Sequence, residues 1–393
     1  MLDWMRNPRR PGALLGLAAA GLALTLAACG GGGGGSATGT GNLRLALTDA
    51  PACGYDAVNV TVQKVRVHQS ASAGESDAGW SEVAVNKRID LLGLTNGVLS
   101  ELGQTALPAG KYTQLRLVLA ANDSTTPLAN SVVVSGTGSE LPLATPSGQQ
   151  SGLKMNVDID VAADKLADFV LDFDACKSIV RAGASGNRLL KPVVSVIPRY
   201  VSGVQGAVDA SIAAGGTQVS LQQSGVIVKA TAPDATGHYL LQPVAPGSYD
   251  LVVASAGHAT AVVTGVTVTA DTVTSIAGTI APPTSASGSL LGVIATGATP
   301  VDASIVAQQA LAAGSKIEVA GAAADSLDGS YALSLPIAAP LVAPYAAGPL
   351  TFTPDATAAA KYTLTATFGT SSKTIGPFSV TSGGTLTNNI TFP

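Results

Sequence analysis

Four aspartates in one acid-rich stretch have the residue type and the spacing that best suit the binding of a metal ion. Asp158 and Asp160 are two positions apart, as are Asp172 and Asp174, so each pair would share one face of a β-strand. If the two strands pair, up to four carboxylates converge, and carboxylate oxygens are ligands that Ca²⁺ takes in proteins. The sequence therefore indicates calcium as a candidate ligand. The alternative is that these aspartates form the solvent faces of strands, where charges also guard against mispairing.

Trp80 is a candidate for a different chemistry, the stacking of a sugar ring. It lies in the polar loop 70–81, and the chain has only two Trp, of which the other lies near the N-terminus. An exposed Trp in a loop is one way to build a carbohydrate-binding platform. The alternative is that Trp80 folds back onto the core.

The residues that usually carry catalysis are scarce. The three His, which are His68, His238 and His258, have no metal-ligand spacing, and the G-x-S-x-G motif of a nucleophilic serine does not occur. A formal charge of −4 excludes the basic excess of a nucleic-acid-binding protein. We therefore expect a non-enzymatic protein with no catalytic residues, no nucleic-acid partner and no cofactor beyond the calcium considered above.

The N-terminal segment combines a basic start with an apolar run. Three Arg precede the run, which extends from Ala13 to Ala28 and ends in Leu26-Ala27-Ala28-Cys29. This ending resembles the bacterial lipobox, in which the Cys is lipidated and becomes the new N-terminus. The resemblance implies a signal peptide over residues 1–28 and an exported protein held to the membrane by lipid on Cys29. Gly30, where an inner-membrane retention signal would place Asp, favours the outer membrane, on its periplasmic side or at the cell surface. A soluble secreted protein with an incidental Cys is the alternative.

Two further cysteines remain once Cys29 carries lipid. Cys53 and Cys176 are an even remainder in an oxidising compartment, which predicts one disulfide that closes the first folded domain on itself. Residues 29–41 contain six consecutive glycines and are expected to be a flexible tether.

The candidate residues above must be positioned by short β-strands, in which apolar and polar side chains alternate. Residues 58–67 and 112–119 alternate apolar with polar side chains and are rich in Val, Thr and Leu, which is typical of half-buried strands. Charged residues make up only 12% of the 393 residues, far fewer than a long surface helix or coiled coil requires. Two short helices are predicted, at residues 91–94 and 163–166. The pattern predicts an all-β chain of tandem antiparallel β-sandwich domains.

The first folded segment, residues 42–199, carries several specific motifs. They are Leu47-Thr-Asp-Ala-Pro51, Leu107-Pro-Ala-Gly-Lys-Tyr-Thr-Gln-Leu-Arg-Leu117 and Leu171-Asp-Phe-Asp-Ala-Cys-Lys-Ser-Ile179. With them the segment resembles a domain of unknown function found in bacterial lipoproteins. That resemblance implies no activity, because none is assigned to the family.

Residues 200–281 show a glycine followed two positions later by a tyrosine, once at Gly237 and Tyr239 and again at Gly247 and Tyr249. The segment is similar to the carboxypeptidase regulatory-like module, a transthyretin-type β-sandwich placed with carbohydrate-binding-like folds. We expect the glycines to supply turn conformations that other residues reach at a cost, and each Tyr to pack under its turn and hydrogen-bond back. The resemblance implies no peptidase activity, because the zinc site of those enzymes lies in a separate domain.

The last segment looks like a diverged second copy of this module. Residues 289–393 follow a Pro- and Ser-rich linker over residues 282–288, and Asp328-Gly-Ser-Tyr331 echoes Thr236-Gly-His-Tyr239. The domain series suits a structural or adhesion-type display protein of the cell envelope, partnered by the membrane through its lipid and by an envelope protein. The alternative is a surface lipoprotein that binds a polysaccharide through its transthyretin-like modules. An enzyme that uses the acidic stretch is a third hypothesis.

Overall fold

The computed structural model describes residues 39–49, 54–146, 148, 151–183, 186–213 and 216–393. These residues are nearly all β-strand and form tandem β-sandwiches, as the alternating pattern predicts. The signal peptide, the tether up to residue 38, Cys29 and Cys53 lie outside the described residues, as does the side chain of Cys176. The described part of the chain has no helix long and apolar enough to cross a membrane.

The first module spans residues 40–198 and contains two sheets. Its strands are β1 (Thr40–Asp49), β2 (Tyr55–His68), β3 (Ser81–Asp90), β4 (Ser100–Pro108), β5 (Gly110–Leu119), β6 (Ser131–Val134), β7 (Glu140–Ala144), β8 (Leu153–Val161), β9 (Leu166–Phe173), β10 (Ile179–Arg181), β11 (Arg188–Leu190) and β12 (Val194–Pro198). One sheet has the order β12-β9-β1-β4, and the other has the order β10-β11-β7-β6-β2-β5-β8 with β3 paired to β2. Most neighbours are antiparallel, but β9 runs parallel to β1.

Strand β2 shows how the sequence pattern builds the core of this module. Val58, Val60 and Val62 are buried, and so are Val65 and Val67, although the step from 62 to 65 breaks the alternation. A β-bulge between Val62 and Lys64 absorbs the extra residue. The bulge keeps both halves of the strand facing the same core.

The second and third modules repeat one strand order. In the second module the strands are β13 (Gly203–Val208), β14 (Gln218–Gln223), β15 (Val226–Thr231), β16 (His238–Leu241), β17 (Gly247–Ala254), β18 (Ala261–Val268) and β19 (Val273–Ile280). They form the sheets β16-β13-β19 and β15-β14-β17-β18.

In the third module the corresponding strands are β20 (Ser287–Ala295), β21 (Ala303–Ala310), β22 (Lys316–Ala323), β23 (Ser330–Pro336), β26 (Lys361–Phe368), β27 (Ser371–Ser379) and β28 (Thr385–Thr387), with β29 (Ile390–Thr391) beside β20. Their sheets, β23-β20-β28 and β22-β21-β26-β27, have the same connectivity as those of the second module.

An insertion in the third module completes a sheet of the second. Strands β24 (Leu341–Pro344) and β25 (Thr353–Pro354) lie in the sequence between β23 and β26, yet β24 pairs in parallel with β18. Tyr345, Leu350 and Phe352 pack against the core of the second module. The last two modules therefore share a sheet and part of a core.

The helices are fewer and shorter than the strands. The helix predicted at 91–94 is present as a 3₁₀ turn over Leu91–Leu94, capped by the Asp90 carboxylate, which accepts from Leu92 N. The prediction of a helix at 163–166 is wrong, because this segment is a turn that leads into β9. Asp164 there has φ of 57° in a turn that carries the chain from β8 in one sheet to β9 in the other. Two helices that the pattern does not indicate are α1 (Ala175–Ser178) and α2 (Ala210–Ala213).

The glycine–tyrosine pairs behave in two different ways. Gly237 has φ of +89°, as expected of a turn glycine, and an added Cβ would lie 2.1 Å from Val208 O. Gly247 does not have a positive φ; instead its missing Cβ makes room for the Tyr249 ring at 3.3 Å. The Tyr249 hydroxyl donates back to Ala245 O at 2.9 Å, as predicted. Within the described ranges, the buried Tyr239 hydroxyl has no hydrogen-bond partner.

Candidate functional site

The four aspartates of the acid-rich stretch do not converge, so the four-carboxylate calcium site is a wrong prediction. Strand β8 pairs with β5 in one sheet, whereas β9 lies between β1 and β12 in the other. Asp158 and Asp160 on β8 are exposed, and Asp158 forms an ion pair with Lys111 at 2.7 Å. Within the described residues no group of three or more His, Cys, Asp or Glu side chains is placed to hold a metal ion.

Asp172 and Asp174 lie instead at a junction where the three modules meet. Asp172 on β9 accepts a hydrogen bond from the Lys229 ammonium of the second module at 2.8 Å. Asp174 caps helix α1, accepting from Lys177 N at 3.0 Å. Lys177 Nζ lies 3.2 Å from a carboxylate oxygen of Glu318 on β22 of the third module. One short segment of the first module thus forms ion pairs with both of the others.

The junction ion pairs are buried. The side chains of Lys229 and Asp172 are 2% and 11% exposed, and that of Glu318 is 6% exposed. Burial raises the pKa of Asp172, and the attraction of Lys229 lowers it by less. The pKa of Glu318 is raised for the same reason, against the attraction of Lys177. Each of these two carboxylates is therefore paired with an ammonium group across a module boundary.

Further hydrogen bonds join the modules. The Gln222 side chain of the second module donates to Glu318 O at 2.9 Å and accepts from Glu318 N at 2.7 Å, so its amide closes a two-bond pair with the third module. Asn96 of the first module accepts from Leu240 N of the second module at 3.0 Å. Gly183 N donates to the Asp325 carboxylate of the third module at 3.1 Å.

A cleft opens beside this junction, and its volume is about 260 Å³. Its lining comes from all three modules and includes Lys177, Glu318, His258 and Thr260. The sequence indicated Asp174 as a candidate ligand and gave His258 no role, and it did not indicate Lys177, Glu318 or Thr260. A signal for the junction was available in β15, where Lys229 stands within an otherwise apolar run.

Trp80 packs against its own module. Its indole N–H donates to Gly74 O at 2.9 Å, and the guanidinium groups of Arg66 and Arg116 lie over the ring at 4.6 and 4.8 Å from its centre. The His68 ring is 5.0 Å away. Arg116 is itself buried and donates to Ala73 O in the same loop. These contacts favour the alternative in which Trp80 organises loop 70–81.

We expect Trp80→Ala to lower the free energy of unfolding by about 2 kcal/mol, because two cation–π contacts and a loop hydrogen bond are lost together. Urea denaturation of the full chain measures this, and Trp80→Phe, which keeps a ring for the arginines, should lose less. Unchanged stability together with loss of glycan retention in affinity electrophoresis would instead support the stacking platform.

Two of the three histidines have side chains in contact with polar groups nearby in the chain. In His68, Nε2 lies 2.9 Å from Ala78 O and Nδ1 accepts from Ser70 N at 2.8 Å. In His258, Nδ1 lies 3.0 Å from Ala256 O. His68 therefore belongs to the same loop structure as Trp80, whereas His258 lines the cleft.

The architecture defines a protein of tandem β-sandwich modules with a polar junction. Residues 40–192 match the family DUF4382, a domain of unknown function. No curated protein matches the sequence.

Among solved structures the chain is similar to the Bacillus anthracis TIE protein, with a TM-score of 0.17 and 12% identity over 90% of this chain and 50% of that one. It is also similar to GBS52, the minor pilin of Streptococcus agalactiae, with a TM-score of 0.16 and 13% identity over 51% of this chain and 88% of that one. BcpA, the major pilin subunit of Bacillus cereus, gives a TM-score of 0.16 and 10% identity over 90% of this chain and 99% of that one. The chain thus spans half the length of the first of these proteins.

Proposed function

We propose that this protein is a non-enzymatic, lipid-anchored component of the bacterial cell envelope that displays three interlocked β-sandwich modules as one rigid body. The observation that carries the proposal is the junction at which Asp172, Lys177 and their partners join all three modules. A series of modules that only displays a surface gains from such fixed geometry, because freely hinged modules would present a different surface at each moment.

The anchoring half of the proposal rests on the sequence. The run ending at Cys29 has the length and flanks of a signal segment, and the following glycines would separate the folded modules from the lipid head groups. Stable attachment needs more than one acyl chain, which a diacylated N-terminal Cys supplies. We propose the outer membrane as the location, with an envelope protein as the partner of the displayed modules.

Labelling with an alkyne analogue of palmitate tests the anchor. Cells that express the full chain should incorporate the label, and Cys29→Ser should abolish incorporation and release the protein from the membrane fraction. Cys53→Ser is the matched control and should stay labelled. Label that persists in the Cys29→Ser variant, or an unlabelled native chain, would overturn the lipid anchor.

Cys53 and Cys176 are proposed to form a disulfide within the first module. Alkylation under denaturing, non-reducing conditions should then modify neither thiol, and modification of both would contradict the pairing.

A further inference from the structure

The cleft beside the three-module junction has features that the display role does not use. Its lining includes hydroxyl side chains from the second and third modules, among them Ser255, Thr260, Ser287 and Ser334. Val319 and Pro336 supply apolar surface to the same wall. A cavity of about 260 Å³ is close to the lower end of small-molecule sites, so it suits a compact ligand.

Thr260 is the feature that points to a ligand. The residue is only 1% exposed and lines the cleft, and its hydroxyl has no hydrogen-bond partner among the residues that the structure describes. A buried polar group without a partner loses its hydrogen bonds to water and gains none in return, so native proteins rarely keep one. A bound molecule with its own hydroxyl or carbonyl group would satisfy it.

The charges in the cleft disfavour an anionic ligand. Lys177 is the only Lys or Arg among the described residues that line it, and that ammonium already lies 3.7 Å from the Asp174 carboxylate and 3.2 Å from that of Glu318. An anion would therefore find no uncompensated cation here. The carboxylates and Lys177 still have lone pairs and protons to offer to hydroxyl groups.

We propose that this cleft binds one unit of a neutral saccharide, either a free hexose or the end of a neutral glycan. The Asp174 carboxylate would accept from sugar hydroxyls and Lys177 would donate to one. Thr260 would exchange a hydrogen bond with another, while Pro336 and Val319 pack against the C–H groups of the ring. This site does not depend on the lipid anchor, so its failure would leave the proposed display role standing.

Two variants of the full chain separate binding from folding. Thr260→Val keeps the branched shape and removes a hydroxyl that has no partner in the described part of the chain, so it should not lower the thermal midpoint. Ala256→Trp places a large ring at an exposed position of the lining. Ala346→Trp, exposed and outside the cleft, is its matched control.

Saturation-transfer NMR and calorimetric titration of the full chain in detergent, with a panel of neutral hexoses and their oligosaccharides, provide the readout. We expect at least one saccharide to bind saturably. Thr260→Val should weaken it about three- to tenfold through one lost hydrogen bond, Ala256→Trp should abolish it, and Ala346→Trp should leave it unchanged. The proposal is overturned if no saccharide binds, if binding is indifferent to both cleft variants, or if only phosphorylated sugars or amino acids bind.

Discussion

Replacing Lys229 with methionine is expected to lower the free energy of unfolding by about 3–5 kcal/mol at neutral pH. The variant leaves the Asp172 carboxylate buried at the junction without the ammonium that compensates it at 2.8 Å. Because the Lys229 side chain is only 2% exposed, water cannot take its place without opening the junction. Guanidinium denaturation of the full chain measures the loss.

A double variant shows whether the loss comes from the orphaned charge. Lys229→Met with Asp172→Leu removes both members of the pair, and buried ion pairs exchanged for apolar residues of similar size are often neutral or stabilising. We expect the double variant to recover most of the stability that Lys229→Met loses. If it is as unstable as the single variant, the contribution of Lys229 is packing of its aliphatic stem rather than charge compensation.

The pH dependence of the single variant has a defined sign. Burial already raises the pKa of Asp172 in the native chain, so the folded state favours the protonated acid. The stability that this preference contributes is fully present below the ordinary pKa of an aspartate and is lost as pH rises through the raised value. Removing Lys229 raises the pKa of Asp172 further, so the stability gap between native chain and variant should widen from pH 4 to pH 8. A gap that is constant with pH would exclude Asp172 as its source.

Gly237→Ala is expected to cost about 3 kcal/mol of stability. The glycine has φ of +89°, a conformation that is unfavourable for alanine by about 1 kcal/mol. The new Cβ would also meet Val208 O at 2.1 Å, so the paired strands β13 and β16 would have to move apart, which adds strain of the kind seen in overpacked cores.

Gly265→Ala is the matched control for the second module. Gly265 has φ of +73° but nothing lies within 4 Å of the position of an added Cβ. This variant should therefore show the conformational effect alone, about 1 kcal/mol. Equal losses in the two variants, measured by thermal unfolding, would contradict the close approach of Gly237 to Val208.

The strands were predictable because their signal is local. Residues 112–119 alternate in the sequence and lie within β5, so the strand itself is as predicted. The strand is not half-buried, however, because the polar Gln114 and Arg116 are buried as well as Leu115 and Leu117. The irregular spacing of the valines in β2 is explained by one β-bulge, which restores the alternation after Val62.

Strand pairing was not predictable in the same way, because it joins segments far apart in the chain. Asp172 became a junction residue because β9 pairs with β1 and β12 instead of with β8. Nothing in residues 341–344 indicates that β24 pairs with a strand of the preceding module.

In strand β15 the burial of the side chains is the opposite of what their hydrophobicity predicts. Val226 and Val228 are 61% and 41% exposed, whereas Lys229, the residue that follows Val228, is buried. Hydrophobicity alone would predict that the two valines are buried and that Lys229 is exposed. The reason is the partner, since the Asp172 carboxylate of the first module accepts a hydrogen bond from Lys229. The local sequence marks Lys229 as unusual within its apolar run, but it does not encode which residue Lys229 contacts.

Differential scanning calorimetry of the full chain tests most directly whether the three modules form one body. Because the junction pairs and the shared sheet couple the modules, we predict a single transition whose calorimetric and van't Hoff enthalpies agree. In Lys229→Met the unfolding of the first module should separate from that of the other two. Two or three independent transitions in the native chain would contradict the rigid display of interlocked modules.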